Sequence, residues 1–176
     1  MRQCQYDRVI IATTRLLIRA LTPVEAEAIV AGVRTGQSWV SDFPTPNDVR
    51  IAAGALAGDV SFPTATMPWG VFAIDESSSG CSVGGIGFKS APNERGEVEI
   101  GYGICHSCQG RGVATEAVVA LCDFAQPRAR VVLAETDREN VASQRVLEKS
   151  GFQSVGETDG LIRWRKEISA ADIPLE

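Results

Sequence analysis

The chain has 176 residues, of which 44% are hydrophobic and 22% charged, a size and balance that fit one globular domain over residues 1–176 and exclude disorder, collagen-like repeats and coiled coil. Seventeen Lys and Arg against 22 Asp and Glu give a net charge of −5 with no block of five like charges, which disfavours nucleic acid or an anionic membrane as partner. The longest apolar stretch, Val113 to Phe124, is interrupted by Thr115, Glu116 and Asp123 and falls short of the ~20 residues of a membrane span. The opening MRQCQYDR has no apolar core of a secretory signal, so the expected location is the cytoplasm.

In chain order, Thr14–Leu21 has the aliphatic content of a strand, and Thr22-Pro23 with Glu25 at the capping-box position starts a helix expected to run to about Gly36. A second helix is expected from about Asn47 to Gly58, after an aromatic, proline-containing loop from Trp39 to Pro46. Trp69–Ile74 and Ser82–Lys89 read as strands around the turn residues Ser77-Ser78-Ser79-Gly80, and Glu97–Ile104 as another. Alternation along the latter puts Val98, Ile100 and Tyr102 on one face and Glu97, Glu99, Gly101 and Gly103 on the other.

Ala114, Ala117, Val118, Leu121 and Phe124 then fall at helical spacing, and Arg130–Glu135 is a short apolar run typical of a buried strand. Asn140 caps a fourth helix that ends at Gly151, and Phe152–Val155 and Leu161–Ile168 close the chain as strands around Thr158-Asp159-Gly160. The expected fold is therefore α/β, a mixed sheet of about six to seven strands with four helices. The core spans about residues 13–168.

Nine of the 17 glycines lie between Gly80 and Gly112, a concentration that implies tight turns or a backbone approached closely by something else. The sharpest part is Gln109-Gly110-Arg111-Gly112-Val113-Ala114, between a strand and a helix. Exposed N–H groups at a helix N-terminus suit a phosphate or pyrophosphate, although a purely structural turn has the same composition. Neither the nucleoside-triphosphatase loop nor the dinucleotide-binding glycine pattern occurs.

Five cysteines without framework spacing fit reduced thiols. Cys105-His106-Ser107-Cys108 is a CxxC, with half a zinc site and a redox pair as the functional readings. The only His lies inside it and no second CxxC exists, so two small loop residues and no metal are expected.

The Q-G-R-G-V-A stretch resembles the Q/R-x-x-G-x-G/A signature of the GNAT acyl-CoA N-acyltransferases. Glu99-Ile100-Gly101-Tyr102 before it and Ala114-Thr115-Glu116-Ala117 after it fit as well. Glu139-Asn140, Ser143 and Leu147-Glu148-Lys149-Ser150-Gly151-Phe152 are similar to the family's penultimate helix, and Thr14–Arg19 to its opening strand. The details look most like the branch that acetylates ribosomal-protein N-termini, which also holds acetyltransferases for small amines and antibiotics.

The resemblance implies a mostly antiparallel sheet splayed at a cofactor site. It implies that acetyl-CoA places its pyrophosphate on the amides of Gly110, Arg111, Gly112, Val113, Ala114 and Thr115, with Gln109 at the turn. Its pantetheine would lie along Tyr102, Gly103 and Ile104, with Asn140 and Ser143 beside it. The acceptor is a primary amine, a protein N-terminus or a small molecule, and the chain a monomer or homodimer.

Glu99 is the candidate general base, with Glu97 as runner-up and a solvated strand glutamate as the plain alternative. Many relatives place a tyrosine acid where this chain has Leu147, so Ser143, otherwise a helix-capping residue, and Tyr102, otherwise a core ring, are the candidate acids. His106 matches a position that the family does not use for chemistry. Trp39, Phe43 and Trp69 are candidates for an acceptor pocket, and core packing is the alternative for Trp69. The competing readings are a non-catalytic acyl-CoA-binding sensor and a CxxC metal or redox protein.

Overall fold

The structure, a computed structural model, describes residues 9–34, 36 and 38–168. Two antiparallel strands, β1 (Ile10–Ala12) and β2 (Leu16–Ala20), lead into α1 (Pro23–Ala31). A short strand β3 (Ser38–Trp39) precedes α2 (Pro46–Ala57), and β4 (Val71–Glu76), β5 (Cys81–Phe88) and β6 (Glu97–Ile104) follow as antiparallel neighbours. After one 3-10 turn at His106–Cys108 come α3 (Val113–Ala125), β7 (Val131–Asp137), α4 (Val141–Lys149), β8 (Gln153–Thr158) and β9 (Leu161–Glu167). The strands form one mixed sheet in the order β1-β2-β4-β5-β6-β7-β9-β8, with β3 parallel to β5 at its side. Among the described residues no helix is long and apolar enough to cross a membrane.

The α/β expectation with four helices therefore holds, and the strand count is corrected from six or seven to nine. The added strands are β1 and β3, three and two residues long. Segments so short carry no period for a sequence pattern to reveal. The expected end of α1 near Gly36 is also corrected: the helix closes at Gly32, whose left-handed backbone (φ 65°) donates to Ala28 and Ile29.

The core lies on both faces of the sheet. On one face α3 and α4 pack through Ala117, Val118, Leu121 and Leu147 against Ile18, Phe72, Ile74, Phe88, Val98 and Ile100. On the other α1 and α2 pack through Ala26, Ile29, Ala52 and Ala55 against Val71, Ala73 and Leu21. The predicted alternation of β6 is observed: Val98 and Ile100 are buried in the α3 layer, and Tyr102 is packed against it. Glu97, Glu99, Gly101 and Gly103 thereby face the α1–α2 side.

The position of β6 in the sheet produces an opening. Its first three residues pair with β7 in parallel, Glu97↔Val131 to Glu99↔Leu133, whereas Ile100 to Ile104 pair with β5 alone. From Ile100 onward β6 and β7 diverge, leaving one edge of Tyr102, Gly103 and Ile104 without a strand partner. The splay expected from the family resemblance is thus present at the expected residues.

Candidate active site at the sheet opening

Three of the four α-helices begin with a side-chain cap, Thr22 in α1, Thr45 in α2 and Asn140 in α4, and α3 has none. Its N-cap is Gly112, and both Gly112 (φ 78°) and Gly110 (φ 72°) take the left-handed conformation that side-chain-bearing residues rarely adopt. A Cβ on Gly110 would meet nothing within 4 Å, so the glycine there answers to backbone shape, not to crowding. The first-turn N–H groups of Val113, Ala114 and Thr115 have no acceptor within the helix and carry the positive end of its dipole.

Neighbouring side chains hold this turn. The Gln109 amide donates to the Ile104 carbonyl (3.1 Å), fastening the turn to the open end of β6. Arg15 donates to the Arg111 carbonyl (3.0 Å) while its Nε and Nη2 bind the Glu116 carboxylate (2.7 and 2.6 Å). Glu116 also accepts the Thr13 hydroxyl (2.6 Å) and the Arg15 backbone N–H (3.0 Å). Burial opposes ionisation of Glu116, but the donors from Thr13 and Arg15 together with the Arg15 charge hold its carboxyl below the ordinary value. Arg111 pairs with Glu76.

At the other wall of the opening, the Tyr102 hydroxyl stands 2.7 Å from the Ser143 hydroxyl and donates to the Ser143 carbonyl (3.1 Å). The two readings of Ser143 separate here. Asn140 performs the capping, its Oδ1 accepting the Ser143 N–H (3.1 Å), and the Ser143 hydroxyl faces Tyr102. Burial raises the Tyr102 phenol above its ordinary value, against the lowering effect of the Ser143 hydrogen bond, so it is a protonated donor at neutral pH.

Tyr102, Gly103, Ile104, the 109–115 turn, Asn140 and Ser143 are therefore gathered around one opening. Glu99 is separated from them, four residues from Gly103 or roughly 13 Å along the strand, and is paired with Lys89. Glu97 lies farther away and accepts the Asn93 amide (3.1 Å). Leu147, where the resemblance leads to the expectation of a tyrosine, is fully buried in the core.

The aromatic residues expected around an acceptor pocket are core residues. Trp39 and Phe43 are 6% exposed and meet edge to face with ring centres 5.3 Å apart, and Trp69 packs against Phe88 at 4.9 Å. Their large apolar area places them inside.

The CxxC residues Cys105 and Cys108 are buried free thiols, and Cys105 is pushed up to about 12 by burial, then by the charges of Asp48 and Asp42. It carries no thiolate at neutral pH. Among the described residues no His, Cys, Asp and Glu cluster could hold a metal ion. Cys4 lies outside the described residues.

Sequence reasoning missed two carboxylates on the α1–α2 side. Asp42 accepts the backbone N–H (2.9 Å) and hydroxyl (2.5 Å) of Ser107, bonds that hold its carboxyl below the ordinary value and tie the loop before α2 to the turn after β6. Asp48 closes a capping box with Thr45, a pattern that Thr45-Pro46-Asn47-Asp48 displays in the same form as Thr22-Pro23-Val24-Glu25.

A family model for the acetyltransferase (GNAT) domain matches residues 15–153. The N-acetyltransferase YjdG of Bacillus subtilis, itself uncharacterised, is 39% identical over 72 residues, 40% of this chain and 43% of that protein. The chain spans less than half the length of the curated relatives it matches. Among solved structures, the ribosomal L7/L12 α-N-protein acetyltransferase RimL superposes with a TM-score of 0.65 at 18% identity, covering 96% of this chain and 99% of that one. The microcin C7 self-immunity acetyltransferase MccE, solved with acetyl-CoA and AMP, superposes with a TM-score of 0.63 at 14% identity, covering 89% and 94%. At these identities the structural likeness is one of fold. The family match over most of the chain, together with the split sheet and the uncapped glycine turn, makes this chain a member of the GNAT acetyltransferase family.

Proposed function

We propose that the chain is one acetyltransferase domain that moves an acetyl group from acetyl-CoA to a primary amine, either a protein N-terminus or a small molecule. The observation that carries this reading is the uncapped N-terminus of α3 beside the unpaired edge of β6. The turn offers N–H groups and a helix dipole to a pyrophosphate, with Arg15 and Arg111 at its rim, and the open edge offers backbone groups to the amides of a pantetheine. Bound there, acetyl-CoA supplies a thioester that an amine attacks. Both RimL, whose name specifies a ribosomal protein N-terminus, and MccE, solved with acetyl-CoA, support this class of donor and acceptor.

The residues divide the work between the two sides of the opening. In this reading a backbone N–H near Tyr102 to Ile104 holds the carbonyl oxygen, and the Tyr102–Ser143 hydroxyl pair, 2.7 Å apart, serves the departing sulfur. Tyr102 remains protonated at neutral pH and is the acid, with Ser143 orienting its hydrogen. Glu99 serves as base only through a chain of water, because of its distance and its pairing with Lys89.

Calorimetric titration with acetyl-CoA, on the wild type and a Gly112→Glu variant, tests the reading. The added carboxylate repels a pyrophosphate and strains a left-handed position. Binding by the wild type and at least tenfold weaker binding by the variant is the expected result. No binding by the folded wild type overturns it.

A further inference from the structure

Two helices of this protein begin with the same device, and the two carboxylates that serve it have different surroundings. In α1, Glu25 Oε2 accepts the Thr22 backbone N–H and hydroxyl (both 2.9 Å), and its Oε1 is paired with Arg19 Nη1 at 2.6 Å. In α2, Asp48 Oδ2 alone accepts the Thr45 backbone N–H (2.8 Å) and hydroxyl (2.6 Å). Asp48 is 8% exposed, as buried as Glu25 at 6%, yet among the described residues no Lys or Arg pairs with it. A carboxylate largely withdrawn from water without a counter-charge is costly, and its second oxygen, Oδ1, with no hydrogen bond among the described residues, keeps access to solvent.

That second oxygen has a defined outlook. Asp48 Oδ1 stands over Gly85 of β5, 3.2 Å from where a Cβ would lie. Gly85 is the direct cross-strand partner of Gly103 in β6, and a Cβ on Gly103 would meet the Asn47 amide at 3.4 Å. The start of α2 therefore covers a patch of sheet without side chains, on the face opposite α3. The patch adjoins Tyr102 to Ile104, the residues to which the acetyl-transfer reading gives the thioester.

We propose that Asp48 is the acceptor-recognition residue of this enzyme, its free Oδ1 pairing with the ammonium form of a primary amine over the Gly85–Gly103 patch. The inference rests on the acetyl-transfer reading and assigns its acceptor class: a cationic amine, held by charge on the side of the sheet away from the α3 turn. Burial already pushes the Asp48 carboxyl above its ordinary value, and an ammonium beside it supplies the counter-charge that Arg19 supplies to Glu25.

The test is calorimetry on the full chain, first with CoA and then, on the CoA-loaded protein, with n-butylammonium chloride and with n-butanol as the uncharged control. Wild type, Asp48→Asn and Gly85→Ala are compared. The asparagine keeps an oxygen for the Thr45 cap and removes the charge, while the alanine keeps the charge and places a methyl against Oδ1. The expected result is ammonium binding without butanol binding in the wild type, and at least tenfold weaker ammonium binding in both variants at unchanged CoA affinity. Equal ammonium affinity in wild type and Asp48→Asn, or none in a wild type that binds CoA, overturns the inference. If Asp48→Asn does not fold, unchanged ammonium affinity in Gly85→Ala overturns it. Failure of the folded wild type to bind CoA in the first titration takes down the acetyl-transfer reading itself, and this inference with it.

Discussion

The hydroxyls of Tyr102 in β6 and Ser143 in α4 stand 2.7 Å apart, joining the two elements at the mouth of the split sheet. Asn140 takes over the capping of α4, and the strand alternation turns Tyr102 to the same side as that helix, so two independent local rules deliver the pair. A group that protonates a leaving thiolate contributes about 10²-fold or more to turnover. Tyr102→Phe is expected to lower kcat by about 10²-fold with the KM for acetyl-CoA little changed. Ser143→Ala is expected to have a smaller effect, and the double variant to resemble Tyr102→Phe, because the two hydroxyls act as one unit. Steady-state release of CoA checks all three. Additive losses count against a shared role.

Leu147 stands where the family resemblance leads to the expectation of a tyrosine acid, and here it belongs to the core between α3, α4 and the sheet. Restoring tyrosine at this position adds volume and a hydroxyl to a packed, fully buried site. Leu147→Tyr is expected to cost about 1–3 kcal/mol of stability, read by chemical denaturation, without raising kcat. A gain in turnover would show that the acid hydroxyl belongs at position 147 and not at Tyr102.

The parts of this fold legible in the sequence are those with a period or a marked end. The strand Glu97–Ile104 has alternation and the observed bounds, and Thr22 and Asn140 announce their helices through capping chemistry. The Asp159-Gly160 turn is equally plain, both residues taking positive φ as a tight hairpin between β8 and β9 demands. β1 and β3 were hidden because they exist through pairing with β2 and β5, and pairing leaves no local trace in three residues or two. The site divides in the same way. The glycine turn is a local pattern, whereas the approach of Asp48 to Gly85 and of Asp42 to Ser107 depends on where α2 docks against the sheet.

Glu116 links β2 to the glycine turn through Arg15, whose Nη1 holds the Arg111 carbonyl. Its folded carboxyl lies below its unfolded value of about 4.3, so the stabilisation it provides is complete above that pH and is lost as pH falls through the folded value. Glu116→Gln is expected to lower stability at pH 7 by about 1 kcal/mol, the half-exposed Arg15 limiting the effect. The difference should shrink as pH falls below the unfolded value, which denaturant titrations at a series of pH values from 7 downward measure. Acetyl-CoA affinity should fall severalfold because the turn loses its brace.

Asp48 has the opposite sign. Its carboxyl is raised in the folded chain by burial, so the favourable state is the protonated one, fully present below the unfolded value of about 3.9 and lost as pH rises through the folded value. Without an amine bound, the wild type is expected to lose stability relative to Asp48→Asn between about pH 4 and neutrality. A protein selected only for stability would gain nothing from such a residue, since Glu25 shows that the same cap can be built with a paired carboxylate. Thermal melts of both proteins across this pH range give the relative slope directly. Saturating n-butylammonium on the CoA-loaded protein should reduce it in the wild type alone, because the cation restores the balance that burial disturbs. A flat difference between the two proteins from pH 4 to pH 7 would mean that the charge of Asp48 is already compensated in the free fold, leaving no vacancy for an amine to fill.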